Sequence, residues 1–394
     1  MARIYLDHNA TTPVDPAVLQ AMLPYFSGEY GNASSIHTFG QRTRAAVETA
    51  REQVAALLDA RAPEIVFTSG GTESDNHAIF GVIQELLARQ PAAHVITTTI
   101  EHEAVLNSCQ SLETRGVAVT YLPVSREGLI DLDELRNAIR PETGLITVMH
   151  ANNELGVIQP IDEIGRIATE REIYFHTDAV QSVGKVPVNV GACAVDLLSL
   201  SGHKIYAPKG VGALYIKTGT RLRQLLHGGH HQRGFRPGTE NVAGIVGLGK
   251  AAEVARLSLE SDIARISELR DRFERGLLSR VADAHANAAG APRTPNTSNI
   301  TFSGIEGEAL VIALDLRGVA CSTGAACSSG AVEPSHVLTA VGLPASEARA
   351  SIRFSLGRHT TEAEINAALE IVPAAVAKLR ELSPGYNQQV SAHH

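Results

Sequence analysis

The sequence predicts an α/β protein, with a large, mostly parallel seven-stranded sheet and a second, smaller α/β region. Short β-like runs alternate with helical periodicity through the first half of the chain, which is typical of βαβ units. A long helical stretch follows at about 241–284, and a second group of strands and helices begins near residue 298. With 394 residues, the chain is long enough for two or three domains.

The predicted large sheet is built from short runs rich in aliphatic and β-branched residues, as buried strands are. These runs are 64–68, 94–98, 118–122, 145–149, 173–176, 195–200 and 211–216. Helices are predicted between them, most clearly where apolar residues recur at helical spacing. The helical ranges are 39–58, 72–87, 103–115, 132–140 and 161–171.

The later part of the chain predicts the smaller region. Residues 225–238 are rich in glycine, histidine and arginine and predict a long loop before the 241–284 helix. The second group then consists of a strand near 298–302, a helix at 306–317, a strand at 351–355 and a helix at about 361–379.

Composition and charge narrow the class of protein. Hydrophobic residues make up 44% of the chain and charged residues 19%, which is ordinary for a globular protein and argues against disorder. The 34 Lys and Arg against 42 Asp and Glu give a net charge of −8, so a dominant basic surface for nucleic acid is not expected. No apolar run in the sequence reaches the ~18 residues that a membrane span needs.

The cysteines indicate a reducing compartment. Cys109, Cys193, Cys321 and Cys327 are too few and too scattered for a disulfide framework, so free thiols are the simpler interpretation. The first residues lead directly into a predicted strand, without a basic and then apolar secretory pattern. We therefore expect a cytoplasmic protein that binds neither nucleic acid directly nor a membrane.

Three chemical features follow one another along the predicted sheet. Gly70, Gly71 and Thr72 join a strand to a helix, where free N–H groups favour a phosphate, although a tight turn capped by Thr72 is the alternative. Asp178 follows a later strand, where open α/β sheets bind ligands; a solvated loop carboxylate is the alternative. Lys204 follows the next strand and is either a surface lysine or an amine that burial makes nucleophilic.

The combination of these three features is more specific than any one of them. Pyridoxal phosphate (PLP) needs N–H groups for its phosphate, an anionic partner for its ring nitrogen and an amine for its aldehyde. The sequence supplies all three in order along one alternating sheet. We therefore expect PLP as the cofactor.

Ten sequence blocks extend nearly from end to end and resemble one family. They are YLDHNATT (5–12), YGNASSIH (30–37), FTSGGTESDN (67–76), IEHEAV (100–105), ANNELG (151–156), HTDAVQ (176–181), SLSGHKIYAPKGVG (199–212), RPGTEN (236–241), STGAACSSGAVEPSHV (322–337) and IRFSLGR (352–358). The chain resembles the cysteine desulfurases of the NifS and IscS type, which are PLP enzymes of fold type I, in the class V aminotransferase family.

The resemblance implies a division of the chain into three segments. Residues 1–14 would form an N-terminal segment of the small domain at the active-site entrance, and residues 15–258 the large PLP-binding domain. Residues 259–394 would form the C-terminal part of the small domain, including a catalytic cysteine loop at 321–334.

The resemblance also implies how the cofactor is held. Lys204 would bind the PLP aldehyde, Asp178 would pair with the ring nitrogen and Gln181 would reach the ring hydroxyl. His102 would stack on the ring and move protons; a helix cap is the alternative for this histidine. The phosphate would be held by Gly71, Thr72, Ser201 and His203, and by Thr239 of a neighbouring subunit, which makes a homodimer necessary.

Substrate residues follow from the same resemblance. Arg353 would grip the substrate carboxylate with help from Asn153, a role that suits the two parallel donors of a guanidinium. A structural ion pair is the alternative for Arg353. Cys327 would receive sulfur as a persulfide. Cys321 is expected to be a buried strand residue rather than a second sulfur carrier, and Cys109 and Cys193 to be packing residues.

The implied activity is conversion of L-cysteine to L-alanine, with sulfur passing from Cys327 to an acceptor such as an iron–sulfur scaffold protein. A selenocysteine lyase or another PLP-dependent β-lyase is the alternative within the cofactor class. A metal- or cluster-binding scaffold is the alternative outside it, with ligands from Cys321, Cys327, His227, His230 and His231. The spacing of the two cysteines matches none of the common zinc or iron–sulfur arrangements, so no metal is expected.

Overall fold

A computed structural model describes residues 3–323 and 334–382 of the chain. Its strands are β1 (Ile4–Tyr5), β2 (Ile65–Thr68), β3 (His94–Thr98), β4 (Ala118–Leu122), β5 (Thr143–Thr147), β6 (Tyr174–Asp178), β7 (Leu197–Ser201), β8 (Gly212–Ile216), β9 (Ala284–Ala286), β10 (Thr297–Phe302), β11 (Val319–Ala320) and β12 (Ser351–Ser355). Its helices are α1 (Pro16–Met22), α2 (Pro24–Ser27), α3 (Thr38–Leu58), α4 (Gly71–Leu87), α5 (Glu103–Glu113), α6 (Leu132–Ala138), α7 (Ile161–Glu170), α8 (Val242–Arg280), α9 (Gly307–Asp315), α10 (His336–Ala340), α11 (Ala345–Arg349) and α12 (Glu362–Leu382).

The large sheet has seven strands, in the order β2-β8-β7-β6-β5-β3-β4. Strand β8 runs antiparallel to both of its neighbours, and every other adjacent pair is parallel. The strands between the two edges are buried, with side chains covered on both faces, as parallel sheets in α/β proteins are. The predicted mostly parallel seven-stranded sheet is therefore confirmed.

Two neighbouring strands bring polar residues to one edge of this sheet. Strand β6 ends at Asp178, and the adjacent parallel strand β7 ends at Ser201. A short 3-10 turn over Gly202–Lys204 follows β7 directly. Because parallel strands end at the same edge, the carboxylate and the lysine predicted from sequence meet there.

A second core is built from both ends of the described chain. Strands β12, β10 and β9 form an antiparallel sheet, and β1 pairs with β11 in a two-stranded one. Leu6, Phe273 and Phe354 are fully buried in this core. The N-terminal strand therefore packs with the later part of the chain, as the resemblance implies, while the boundaries at residues 14 and 258 stay a prediction.

Helix α8 is shared between the two cores. Its residues from Ile245 to Ala255 contribute to the core of the large sheet, and those from Ile266 to Leu277 to the second core. The prediction of a helix to residue 284 was too long, because Ala284–Ala286 form β9 and pair with β10. The helix begins where Asn241 accepts a hydrogen bond from the Gly244 amide.

Other boundaries differ modestly from the predictions. Strand β5 begins two residues before the predicted run 145–149, and β6 extends two residues beyond 176 to include Asp178. Helix α1 was not predicted, although Asp15 accepts the Ala17 amide at 2.8 Å and caps it. No helix in the described ranges is long and apolar enough to cross a membrane.

Candidate active site

A cavity of about 360 Å³ opens at the edge of the large sheet where β6 and β7 end. Besides Asn9, Asp75 and several other residues, it is lined by ten of the residues predicted from sequence. These ten are Gly71, Thr72, His102, Asn153, Asp178, Gln181, Ser201, His203, Lys204 and Arg353.

The start of α4 forms one wall of the cavity. The N-cap position of α4 is occupied by Gly70, which has no side chain, and Thr72 lies inside the helix. The alternative that Thr72 caps this helix is therefore wrong. A Cβ atom at Gly71 would lie 2.8 Å from Val180 Cγ2, which leaves room only for glycine. The backbone N–H groups of this first turn have no partner within the helix and suit an anion.

Asp178 lies buried at the carboxyl end of β6. Its Oδ1 accepts a hydrogen bond from the Val180 amide at 2.9 Å. Burial raises the pKa of the Asp178 carboxyl, and the nearby charges of His102 and Lys204 oppose this rise. A cationic ring nitrogen beside Asp178 would favour its charged form in the same way.

Asp75 is a second buried carboxyl in the cavity, and sequence reasoning missed it. It lies on α4, and its Oδ1 has no hydrogen-bond partner among the described residues. This oxygen is 3.6 Å from Nε2 of the fully buried His176. Burial, then the neighbouring Asp178, raises the pKa of Asp75 well above its usual range.

Lys204 presents its amine to the cavity from the 3-10 turn after β7. Its Nζ donates to the backbone oxygens of Asn9 at 2.5 Å and Ala10 at 2.8 Å. Burial, with the charge of Arg353, lowers the pKa of Lys204 to about 8. Roughly a tenth of this amine is then unprotonated at pH 7, far more than for an ordinary lysine, and this form is able to attack an aldehyde.

His102 caps a helix and also lines the cavity, while its role toward PLP stays a prediction. Its Nδ1 accepts the Ala104 amide at 3.1 Å and caps α5, which confirms the helix-cap interpretation. The same side chain lines the cavity. Because Nδ1 is an acceptor, the neutral ring carries its proton on Nε2.

His203 and Ser201 lie beside the helix start. The Nδ1 atom of His203 is 3.1 Å from Thr11 Oγ1, and burial, then the charge of Lys204, lowers the pKa of this histidine to about 4. The ring is therefore neutral near pH 7. Ser201 is buried at the end of β7. Both residues can donate hydrogen bonds to an anion without adding charge.

Arg353 lies in β12 and reaches the cavity from the second core. One terminal nitrogen donates to Asp7 Oδ1 at 2.8 Å and the other to the Asn153 backbone oxygen at 3.0 Å. The structural ion pair considered for Arg353 is thus present. Its Nε has no partner in the described parts of the chain. The buried guanidinium still faces the site.

One predicted residue that the structure describes is not part of this cavity lining. Thr239 is exposed on the loop before α8 and is absent from the cavity lining of the described chain. Cys327 lies outside the described residues. Cys321 follows β11, is buried, and has its pKa raised to about 12 by burial. Cys109 and Cys193 are also buried, which confirms their prediction as packing residues.

The residues present fit PLP. The N–H groups in the first turn of α4, which have no partner within the helix, suit a phosphate. Asp178 offers the buried carboxyl and Lys204 the amine within the same cavity. Asp75, which also lines the cavity, keeps a buried Oδ1 without a hydrogen-bond partner among the described residues, 3.6 Å from His176 Nε2.

The fold and this cavity define an α/β enzyme of the fold type I class. The sequence profile of the family described as Aminotransferase class-V matches residues 4–368, and the chain belongs to this family. A cysteine desulfurase from Trichormus azollae is 54% identical over 99% of this chain and 96% of its own length.

Solved structures agree with this family. The structure described as "NIFS-LIKE PROTEIN" superposes with a TM-score of 0.89 at 37% identity, covering 96% of this chain and 100% of that one. The structure described as "SspA in complex with cysteine" has a TM-score of 0.80 at 40% identity, covering 91% of this chain and 100% of that one.

Proposed function

We propose that this chain is a PLP-dependent cysteine desulfurase that converts L-cysteine to L-alanine and carries the sulfur as a persulfide on Cys327. The observation that carries this proposal is the Lys204 amine, which shares one cavity with Asp178 and Arg353. The cysteine desulfurase that is 54% identical over nearly the whole chain supports the same activity. It does not favour the alternative of a selenocysteine lyase or another β-lyase.

The residues of the cavity divide into groups that would hold PLP. The phosphate would lie at the start of α4, among Gly71, Thr72, Ser201 and His203. Asp178 would face the ring nitrogen, and Gln181 the ring hydroxyl. When bound through Lys204, PLP supplies an electron sink that makes the substrate Cα proton removable. We further propose that Thr239 from a second copy of the chain completes the phosphate site in a homodimer.

Arg353 and Lys204 would position and deprotonate the substrate. Arg353 lies on β12 in the second core, and Lys204 follows β7 of the large sheet, yet both side chains line one cavity. It would bind the cysteine carboxylate together with Asn153. The Lys204 amine, with its pKa near 8, would accept the substrate Cα proton. His102 would move protons through its Nε2, because its Nδ1 is engaged in capping α5.

The sulfur transfer is balanced without an external oxidant or reductant. The Cys327 sulfur attacks the substrate sulfur, so an S–S bond forms while the substrate Cβ–S bond breaks. The electron pair of that bond stays with the carbon, which gains a proton. One cysteine and one protein thiol thereby give one alanine and one protein persulfide. A reduced Cys327 is required, which supports a cytoplasmic location.

The sulfur would then pass to another protein. A persulfide hands on its terminal sulfur to an acceptor thiol by exchange. We propose an iron–sulfur scaffold protein as this acceptor. The scaffold alternative for this chain itself has no support in residues 3–323 and 334–382, where His, Cys, Asp and Glu side chains form no group that could hold a metal.

The proposal is tested with purified protein reconstituted with PLP and supplied with L-cysteine and a thiol reductant. We expect alanine and sulfide in equal amounts, and a protein mass increase of one sulfur atom before reductant is added. Cys327→Ser should bind cysteine but yield neither product, while the matched control Cys321→Ser keeps the activity. Pyruvate and ammonia as products, or full turnover by Cys327→Ser, would contradict the proposal.

A further inference from the structure

Lys185 is a deep amine beside the active site that the mechanism above does not use. It follows β6 by seven residues and lines, with Lys204, a separate small cavity of about 30 Å³. The side chain as a whole is half-buried, but its nitrogen lies deep among protein atoms. No carboxylate of the described residues pairs with it; it donates to two amide oxygens instead.

Those two acceptors connect Lys185 to the main cavity. Its Nζ donates to Gln181 Oε1 at 2.6 Å and to Asn9 Oδ1 at 3.3 Å. Both Gln181 and Asn9 line the cavity that holds Lys204. Lys185 itself is not part of that lining, so it lies directly behind residues that face the site.

Asn9 can present only its oxygen to Lys185. Its Nδ2 donates to Thr297 Oγ1 at 2.8 Å and to the Asn153 backbone oxygen at 3.1 Å. Its Oδ1 also accepts from Asn296 Nδ2 at 2.9 Å. These contacts hold the Asn9 amide in one orientation, because a flipped amide would place N–H against N–H and oxygen against oxygen.

Two partners orient the Gln181 amide, and Lys185 is the one that binds its oxygen. Its Nε2 donates to the Asn9 backbone oxygen at 3.0 Å, an oxygen that also accepts from Lys204. Its Oε1 accepts only from Lys185 among the contacts of the described residues. The second Nε2 proton has no acceptor in this part of the chain, and the side chain borders the cavity.

We propose that Lys185 is a positioning residue of the cofactor site, which holds Gln181 Oε1 away from the cavity so that Gln181 Nε2 donates to the ring hydroxyl of PLP. This inference rests on the proposed function. Without Lys185, the Gln181 oxygen loses its donor, and only the hydrogen bond from Nε2 to the Asn9 backbone oxygen still orients the amide toward the cofactor. The role is indirect, because Lys185 touches Gln181 and not the ligand.

The electrostatic surroundings of Lys185 are consistent with a neutral, hydrogen-bonded amine. Burial, and then the charges of Lys204 and Arg353, lower the pKa of Lys185 well below its usual range. The nearby His8 and His203 both have pKa values lowered to about 4, chiefly by burial, and are neutral near pH 7. A neutral amine still has two N–H groups, enough for both of its acceptors.

The test follows the pKa of the linkage between Lys204 and PLP, read from visible absorption during a pH titration. A hydrogen-bond donor to the PLP ring oxygen stabilises the negative charge of that oxygen. This charge is largest when the linkage between Lys204 and PLP is deprotonated, so losing the donor raises the pKa of the linkage. For Lys185→Met we expect a rise of about one unit, the size of one hydrogen bond to a charged group.

A double-mutant cycle separates positioning from general damage. Gln181→Ala should raise the linkage pKa by a similar amount, and Lys185→Met added to it should cause no further change. Additive shifts, or no shift for Lys185→Met, would overturn the inference. Lys185→Ala provides the same reading if the Met variant is insoluble. Lys250→Met, which removes a lysine paired with Glu253 on α8, should leave the titration unchanged.

Failure of this inference is distinguishable from failure of the proposed function. A wild-type protein with no visible band that depends on Lys204 would contradict the function itself. A normal wild-type band with an unshifted Lys185→Met titration would contradict only the positioning role.

Discussion

The buried Arg353 and the partly buried Asp7 form an ion pair in which a terminal guanidinium nitrogen lies 2.8 Å from the carboxylate oxygen. The pair joins β12 to the segment after β1, and the same guanidinium lines the active-site cavity. Arg353 is therefore held in place before any substrate binds. A carboxylate that enters the site meets a donor whose position is already fixed.

The two roles of Arg353 predict two separable effects. Arg353→Lys keeps a charge for Asp7 but loses the two parallel donors, so KM for cysteine should rise about 10- to 100-fold, the value of one charged hydrogen bond. Arg353→Ala should in addition lower the stability, because it leaves Asp7 without its partner. Steady-state kinetics and thermal unfolding measure the two effects.

A third variant checks this separation. Asp7→Asn combined with Arg353→Ala removes both charges and should regain part of the lost Tm without regaining affinity for cysteine. An Arg353→Lys enzyme with an unchanged KM would show that the guanidinium serves only the ion pair.

Lys204→Ala should abolish the visible absorption band of the PLP-loaded protein, because this amine is the one in the cavity proposed to bond with the aldehyde. Lys209→Ala is the matched control, since Lys209 is exposed five residues later and should leave the band intact. Absorption spectra of the two dialysed proteins provide the comparison. A band that survives in Lys204→Ala would assign the linkage to another residue.

The reactivity of Lys204 should depend on pH with a midpoint near 8, the value to which burial and Arg353 lower its pKa. Only the deprotonated amine reacts with an aldehyde, so the rate of labelling rises as pH increases and levels off above that midpoint. Reductive methylation of the protein before PLP is added, followed by peptide mass spectrometry, measures this. Exposed lysines in the same sample should have midpoints near 10.4. A Lys204 midpoint in that range would contradict the expected burial effect.

The cysteines should differ sharply in alkylation. Burial raises the pKa of Cys109, Cys193 and Cys321 to about 12, so each remains a covered thiol at pH 8. If Cys327 is the sulfur carrier, native protein should take up one iodoacetamide rapidly, and Cys327→Ser should take up none on the same time scale. Rapid labelling that persists in Cys327→Ser would move the reactive thiol elsewhere, with Cys321→Ser as the next variant to examine.

The sequence was sufficient to predict the site residues that lie next to a strand end or a helix start. Asp178 and Lys204 each come directly after a recognisable strand, and those strands proved to be parallel neighbours. The helix start at Gly71 was predictable because glycines separate a strand from a helical pattern. Each of these residues is placed by local structure, so spacing along the chain was informative.

Other site residues depend on packing between distant segments. Asp75 lies in the first half of α4 among residues of helical periodicity, and it is buried because α4 packs against β7. Lys185 lies in an irregular segment, and its buried amine contacts Asn9, which is 176 positions away in the sequence. No local pattern distinguishes either residue from a solvated charge.

The strand at the start of the chain was predicted, whereas its partner β11 escaped prediction for a related reason. Strands β1 and β11 have two residues each, and each exists only because the other pairs with it. The antiparallel direction of β8 was likewise not visible in its sequence, which reads as another buried strand. Pairing partner and direction are tertiary properties.

Helix α8 fixes the angle between its face that packs on the large sheet and its face that packs on the second core. No residue from 256 to 265 is buried, so this stretch joins the two cores without belonging to either, although Asp262 within it pairs with Arg358. An α-helix turns about 100° per residue, so one inserted residue here would turn the buried face of Ile266–Leu277 by that angle relative to the buried face of Ile245–Ala255. The length of this stretch therefore affects how the cores that carry Arg353 and Lys204 are placed, although none of its residues lines the cavity.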